Sequence, residues 1–152
     1  MGIHPKIGVT GLPRSGKSAV MEKVVSMLAD ERREEMRARG DDVAAAKLIG
    51  GMSCEPVSEN GERVGFKCIN FQTGEEAVMA HKSIDSRTRV LGYGIDPEAL
   101  EKIAVPAIQE AMDDYEVIVI DEIGKFSVES EGFVKVVRKA MEIDKPTLVT
   151  LH

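Results

Sequence analysis

Apolar residues along this 152-residue chain come in short runs separated by polar turns, and their spacing shifts from strand-like to helical and back. Lys6-Ile7-Gly8-Val9-Thr10 reads as a short buried strand that empties into a glycine-rich loop. A long helix is predicted from about Gly16 to Arg39, with Val20, Val24, Met27 and Leu28 on one face. Its second half, Asp30 to Arg39, mixes both signs of charge at helical spacing, as in Glu35 with Arg39, and gives a solvated end closed by Gly40. Residues 42–50 fit either a short helix or the lead-in to a strand.

The pattern then turns to strands. Ser58-Glu59-Asn60-Gly61 is a hairpin turn between Met52–Val57 and Arg63–Phe71, and Thr73-Gly74-Glu75 turns the chain again before Ala77–Ala80. If the first turn pairs Val57 with Glu62, Cys54 falls opposite Gly65 and Cys68 opposite Gly51, out of register for a bridge. Asp96-Pro97-Glu98 starts a helix, with an N-cap, a proline at the first helical position and an early acid. That helix runs to about Asp113 with a kink expected at Pro106. Glu116–Asp121 is an almost wholly apolar strand suited to the middle of a parallel sheet, Ser130 opens a helix through Glu142, and Pro146–Leu151 forms a last strand. The predicted fold is α/β: a mainly parallel sheet flanked by helices, with a β-hairpin excursion at about 51–80, in a single domain spanning 1–152.

Composition agrees with this and excludes several classes. The 43% hydrophobic content suffices for a core, and with only 4% aromatic residues and no Trp that core is aliphatic. No apolar run reaches the length of a membrane span and the N-terminus has no signal-peptide pattern, so a cytoplasmic protein without membrane partners is expected. The formal net charge of −6 argues against a nucleic-acid partner, which needs a basic surface. Cys54 and Cys68 form no CxxC pair and have no His at ligand spacing, and both read as buried or half-buried thiols.

Chemistry enters at Gly11-Leu12-Pro13-Arg14-Ser15-Gly16-Lys17-Ser18, a complete G-x-x-x-x-G-K-[ST] phosphate loop placed between a strand and a helix. Its glycines let successive N–H groups face an anion, and the helix adds about half a positive charge at its start. In this pattern Lys17 reaches the β- and γ-phosphates and the Ser18 hydroxyl ligates Mg²⁺. The apolar strand Val117–Ile120 ends in Asp121-Glu122, which suits a Walker B pair: Asp121 as the second residue on Mg²⁺, Glu122 to orient or deprotonate an attacking water.

The sequence resembles the small nucleoside-triphosphatases first described from thermophiles, a family that includes the human cancer-related nucleoside-triphosphatase. Four stretches carry the likeness: Gly8 through Ser18, Arg63-Val64-Gly65-Phe66-Lys67, Val105-Pro106-Ala107, and Val119-Ile120-Asp121-Glu122-Ile123-Gly124-Lys125; Arg89–Tyr93 and Val149-Thr150-Leu151-His152 also align. The resemblance implies a P-loop fold of the RecA/ASCE type and Mg²⁺-dependent hydrolysis of ATP, GTP, CTP and UTP to diphosphate and phosphate. It also implies that the 147–151 strand lies between the phosphate-loop and Walker B strands, which would bring Thr150 and His152 near the γ-phosphate as a polar sensor. The chain departs from the family in carrying Cys54 where Thr is usual, Ser58 where Arg is usual, and Ser127 where a Glu commonly stands. The family continues past the final His, so the resemblance implies that the C-terminal part of the family fold is missing, leaving the phosphate-loop strand at a sheet edge open to self-association.

An arginine that reaches the transferred phosphate raises turnover by about 10³ to 10⁵. Arg14, Arg63, Arg87 and Arg89 are the candidates, with Arg87 and Arg89 reaching in from the excursion. Two other functions stay open on the sequence: a nucleotide or small-molecule kinase, which would need an acceptor pocket, and a slow nucleotide-dependent switch docking through the charged end of the first helix.

Overall fold

The computed structural model describes residues 4–11, 17–43 and 47–151, with Lys17 and Ser18 described by backbone alone. The elements are β1 (Lys6–Thr10), α1 (Lys17–Arg39), β2 (Ile49–Glu59), β3 (Glu62–Asn70), β4 (Glu76–His81), β5 (Arg89–Val90), β6 (Tyr93–Ile95), α2 (Pro97–Ala99), α3 (Val105–Asp114), β7 (Val117–Ile123), α4 (Glu131–Glu142) and β8 (Thr147–Leu151). All eight strands join one sheet in the order β1-β8-β7-β2-β3-β4-β6-β5. The first four are parallel, and β8 lies between the strand leading to the phosphate loop and the strand ending in Asp121, as the resemblance implies. β1 closes one end of the sheet, so among the described residues its outer edge has no strand partner.

Side chains alternate across β7 and divide the core in two. Ile118 and Ile120 face a cluster with Leu100, Ile108, Phe133 and Val136 from the helices after β6 and from α4. Val117 and Val119 face the other way, with Leu148 of β8, onto Met21 and Leu28 of α1. The same alternation continues Val119 to Asp121 and Leu148 to Thr150, so both polar residues sit on the α1 side at the carboxyl ends of their strands.

The hairpin is part of the main sheet and not an excursion from it. Ile49–Ser53 pairs in parallel with Val117–Asp121 before the same strand turns antiparallel to β3. Two glycines make this possible: Gly50 lies against the Tyr115 ring, and a Cβ on Gly51, at φ +135°, would sit 1.8 Å from the Val119 carbonyl oxygen. The expected hairpin register is also corrected. Asn60 and Gly61 both adopt positive φ, the signature of a two-residue type I′ turn, so Glu59 rather than Val57 pairs with Glu62. A bulge then leaves Val64 without a partner across the ladder, and Cys54 comes directly opposite Cys68.

Two helices differ from expectation in detail. The buried face of α1 is Met21, Leu28, Ala29 and Met36, with Val24 and Val25 packed beside it, while Val20 and Met27 are 50% and 61% exposed. Arg32, four residues after Leu28, pairs with Glu116 at the foot of β7, which agrees with that rotation. Charges at the end of α1 pair as Arg32 with Glu35 and Arg33 with Asp30, and Arg39 turns to Asp41 instead of Glu35. Where a kink was expected at Pro106, a π-helical segment, Leu100–Ala104, joins α2 to α3. Pro106 lacks an N–H and crowds the carbonyl four residues back, and the wider turn relieves both, with the Val105 N–H bonding to the Leu100 carbonyl. At the start of this run, Asp96 caps the helix by accepting from the Glu98 N–H, as its sequence predicts.

Candidate nucleotide site

Three parallel strands, β1, β8 and β7, end together at one edge of the sheet, the edge at which open α/β sheets bind ligands, while β2 runs on beyond it to pair with β3. β1 ends at Thr10 and is followed by the exposed Gly11, and α1 begins at Lys17, so the described ends of the phosphate-loop motif flank this edge. Leu12, Pro13, Arg14, Ser15 and Gly16 lie outside the described residues, as does His152. Asp121 and Glu122 stand at the end of β7, two strands from β1. Thr150, from the strand between, is 2% exposed and its Oγ1 donates to Asp121 Oδ1 at 2.6 Å. That bond joins two residues the sequence had placed in separate roles.

The backbone around Glu122 is held by Ser127. The peptide bond between Asp121 and Glu122 is cis. Ser127, 2% exposed at the head of a 3₁₀ turn (Ser127–Glu129), accepts from the Gly124 N–H at 3.0 Å, and its own hydroxyl lies 3.3 Å from the Glu122 carbonyl and 3.2 Å from that of Gly124. Cys54 follows Ser53 on β2, the residue paired with Asp121 across the β2–β7 ladder, and so lies next to this end of β7. Burial pushes the Cys54 thiol well above its usual range, and the same cause raises Cys68 to about 11. Neither Ser127 nor Cys54 was singled out for the site by sequence reasoning. Their positions were noted only as departures from the family pattern, and a side chain that acts through another residue's backbone leaves no motif.

The arginines separate. Arg89 spends its guanidinium on the carbonyls of Ile84 and Gly92, at 3.0 and 2.9 Å, closing the β5–β6 turn. Arg63 lies over the Phe66 ring, which packs with Tyr93 and Phe126 in an aromatic cluster. Arg87 is exposed and makes no hydrogen bond or ion pair with the described residues. No cluster of metal-ligating His, Cys, Asp or Glu occurs among the described residues, and no described helix is long and apolar enough to cross a membrane.

A parallel core with the phosphate-loop strand, a polar middle strand and a strand ending in Asp-Glu defines the class: a P-loop nucleoside triphosphatase fold. The family is given by sequence comparison. A model of the NTPase family matches residues 6–152, and the chain belongs to that family. Among its relatives, the nucleoside-triphosphatase THEP1 of Methanosarcina barkeri is 37% identical over 147 residues, covering 97% of this chain and 76% of that protein. THEP1 of Methanocaldococcus jannaschii is 33% identical over 147 residues, covering 97% and 78%. The crystal structure of THEP1 from the hyperthermophile Aquifex aeolicus matches with a TM-score of 0.75 at 27% identity, covering 97% of this chain and 76% of that one. The chain is therefore an enzyme of the nucleoside-triphosphatase class.

Proposed function

We propose that this enzyme hydrolyses nucleoside 5′-triphosphates, ATP, GTP, CTP and UTP, to diphosphate and phosphate with Mg²⁺. The observation that carries the reading is the Thr150–Asp121 hydrogen bond beside Glu122, at the edge where the phosphate-loop strand also ends. A carboxylate anchored through one oxygen is a hard-oxygen donor of fixed direction, which suits Mg²⁺. Ser18 and Asp121 would hold the ion, which when bound neutralises charge on the β- and γ-phosphate oxygens.

The remaining work falls to the chain itself. Lys17 and the loop Gly11–Ser18 cradle the phosphates, with backbone N–H groups from Gly11, Leu12, Arg14, Ser15, Gly16 and Ser18, while Pro13, which has no N–H, shapes the turn. Glu122 orients the attacking water and takes its proton, and the brace at Ser127 keeps its main chain in place. Thr150 holds Asp121 and, with His152, forms the polar sensor. Among the described candidates, Arg87 is the arginine left to reach the transferred phosphate, because Arg89 is committed to two carbonyls and Arg63 lies over the Phe66 ring.

The test is phosphate release from the four nucleoside triphosphates, with Mg²⁺ or with a chelator, and with or without a nucleoside monophosphate. Hydrolysis predicts Mg²⁺-dependent release that needs no acceptor. Release only with the monophosphate would make the enzyme a kinase, and tight binding with negligible turnover would make it a switch.

A further inference from the structure

The two cysteines occupy a geometry that neither the fold nor the proposed hydrolysis requires. Cys54 on β2 and Cys68 on β3 are directly opposed in an antiparallel ladder, so their side chains leave the same face. Ladder parity gives the kind of pair. One register step before Met52 and Asn70, the Phe71 N–H bonds to the Gly51 carbonyl at 3.0 Å, so Gly51 and Phe71 mark a hydrogen-bonded position. Counting along the ladder makes Cys54 and Cys68 a non-hydrogen-bonded pair, as are Pro56 and Phe66, where a proline's missing N–H costs no rung. Such pairs have Cα atoms about 4.5 Å apart, inside the range of about 4.4–6.8 Å that disulfides span.

Both thiols are free. Cys54 follows Ser53, the residue that pairs with Asp121 across the β2–β7 ladder. The Cys68 sulfur reaches across β3 to the carbonyls of Ala77 and Ala99, at 3.7 and 3.6 Å. A bond between them would draw β2 and β3 together one residue from the Ser53–Asp121 pair of the β2–β7 ladder. We propose that Cys54 and Cys68 form a reversible cross-strand disulfide under peroxide, and that this bond slows hydrolysis by displacing the Asp121–Glu122 end of β7.

Cys54 is half-buried and Cys68 fully buried, so Cys54 meets the oxidant first, and because burial keeps both thiols protonated the reaction is slow. The Cys54 sulfur attacks one peroxide oxygen, the O–O bond breaks, and the thiol proton leaves with the departing hydroxide as water, giving a sulfenic acid. The Cys68 sulfur then displaces that hydroxyl, its own proton completing a second water. Two thiols and one hydrogen peroxide become one disulfide and two waters. A dithiol reductant reverses the change.

The slowing of hydrolysis rests on the role proposed for Glu122, whereas the disulfide does not, and the experiment reads the two separately. The whole protein is treated with hydrogen peroxide, its mass and non-reduced peptide map are recorded, and phosphate release is measured before and after dithiothreitol. The expected result is a mass lower by about 2 Da, a peptide joining Cys54 to Cys68, and turnover reduced about tenfold and restored by the reductant, the scale of a small misplacement of a reacting group. Cys68→Ala and Cys54→Ala should each keep their turnover through the same treatment. Oxygen mapped to Cys54 or Cys68 themselves rather than to methionine, a disulfide-linked dimer or two surviving thiols would overturn the disulfide. A formed disulfide with unchanged turnover would overturn its effect on hydrolysis. Reduced protein that hydrolyses no nucleotide would contradict the function proposed above and the slowing with it, while the mass shift would still decide the disulfide.

Discussion

Thr150 Oγ1 donates to Asp121 Oδ1 at 2.6 Å across neighbouring parallel strands, and a buried hydroxyl thereby fixes the direction of a buried-edge carboxylate. A hydrogen bond to a charged group contributes about 1.5–3 kcal/mol. Thr150→Val keeps the shape and removes the donor, so turnover should fall by roughly 10- to 100-fold, with KM for the nucleotide changed far less. Thr150→Ser, which keeps the hydroxyl, should retain most of the activity. Steady-state phosphate release on the two variants checks the pair.

Ser127 presents the same logic on the main chain. Removing its hydroxyl in Ser127→Ala leaves the Gly124 N–H without its partner at a buried turn. The expected cost is about 1–3 kcal/mol of stability, read from urea unfolding. Turnover should fall as well, because the turn that follows Glu122 loses its brace.

How far this was legible in the sequence depends on the range of the interaction. The phosphate-loop motif and the apolar run into Asp121 are local patterns whose chemistry dictates their spacing, and the order β1-β8-β7 followed from family resemblance. The antiparallel register was misjudged because one two-residue turn and one bulge set it, and each moves every partner downstream. On α1 Leu28 and Val24 face inward as their spacing predicts, but Val20 and Met27 are exposed and Met21, Ala29 and Met36 are buried, because the inward stripe also takes residues the apolar pattern did not single out. That Ser127 braces the main chain around Glu122 could not be read at all, since its partners there are backbone atoms.

The pairing of β2 with β7 depends on Gly51. A methyl group there would sit 1.8 Å from the Val119 carbonyl oxygen, on a backbone at φ +135°. Gly51→Ala should destabilise the protein by more than about 3 kcal/mol, since neither strand can retreat without breaking the central ladder. A shift of the urea midpoint measures it, and Gly61→Ala, at an open turn, should cost much less.

The buried thiols give stability an alkaline limit. Cys68 ionises near 9.0 when unperturbed and near 11 in the folded chain, because burial disfavours its thiolate, and Cys54 is shifted in the same direction. Between those values the unfolded chain has already lost protons that the folded chain retains, so stability is intact below about pH 9 and falls as pH rises toward 11. Unfolding free energies across that window should show the decline, and Cys68→Ala should make it shallower.

The central claim is that Glu122 activates water while other groups bind the nucleotide. Glu122→Gln keeps the size and hydrogen-bonding reach of the side chain and removes its basicity. Turnover and nucleotide affinity measured on the same preparation, with Mg²⁺, decide the matter. The account predicts phosphate release reduced by about 10²-fold or more with affinity within a few-fold of the parent enzyme. Undiminished phosphate release from Glu122→Gln would contradict it.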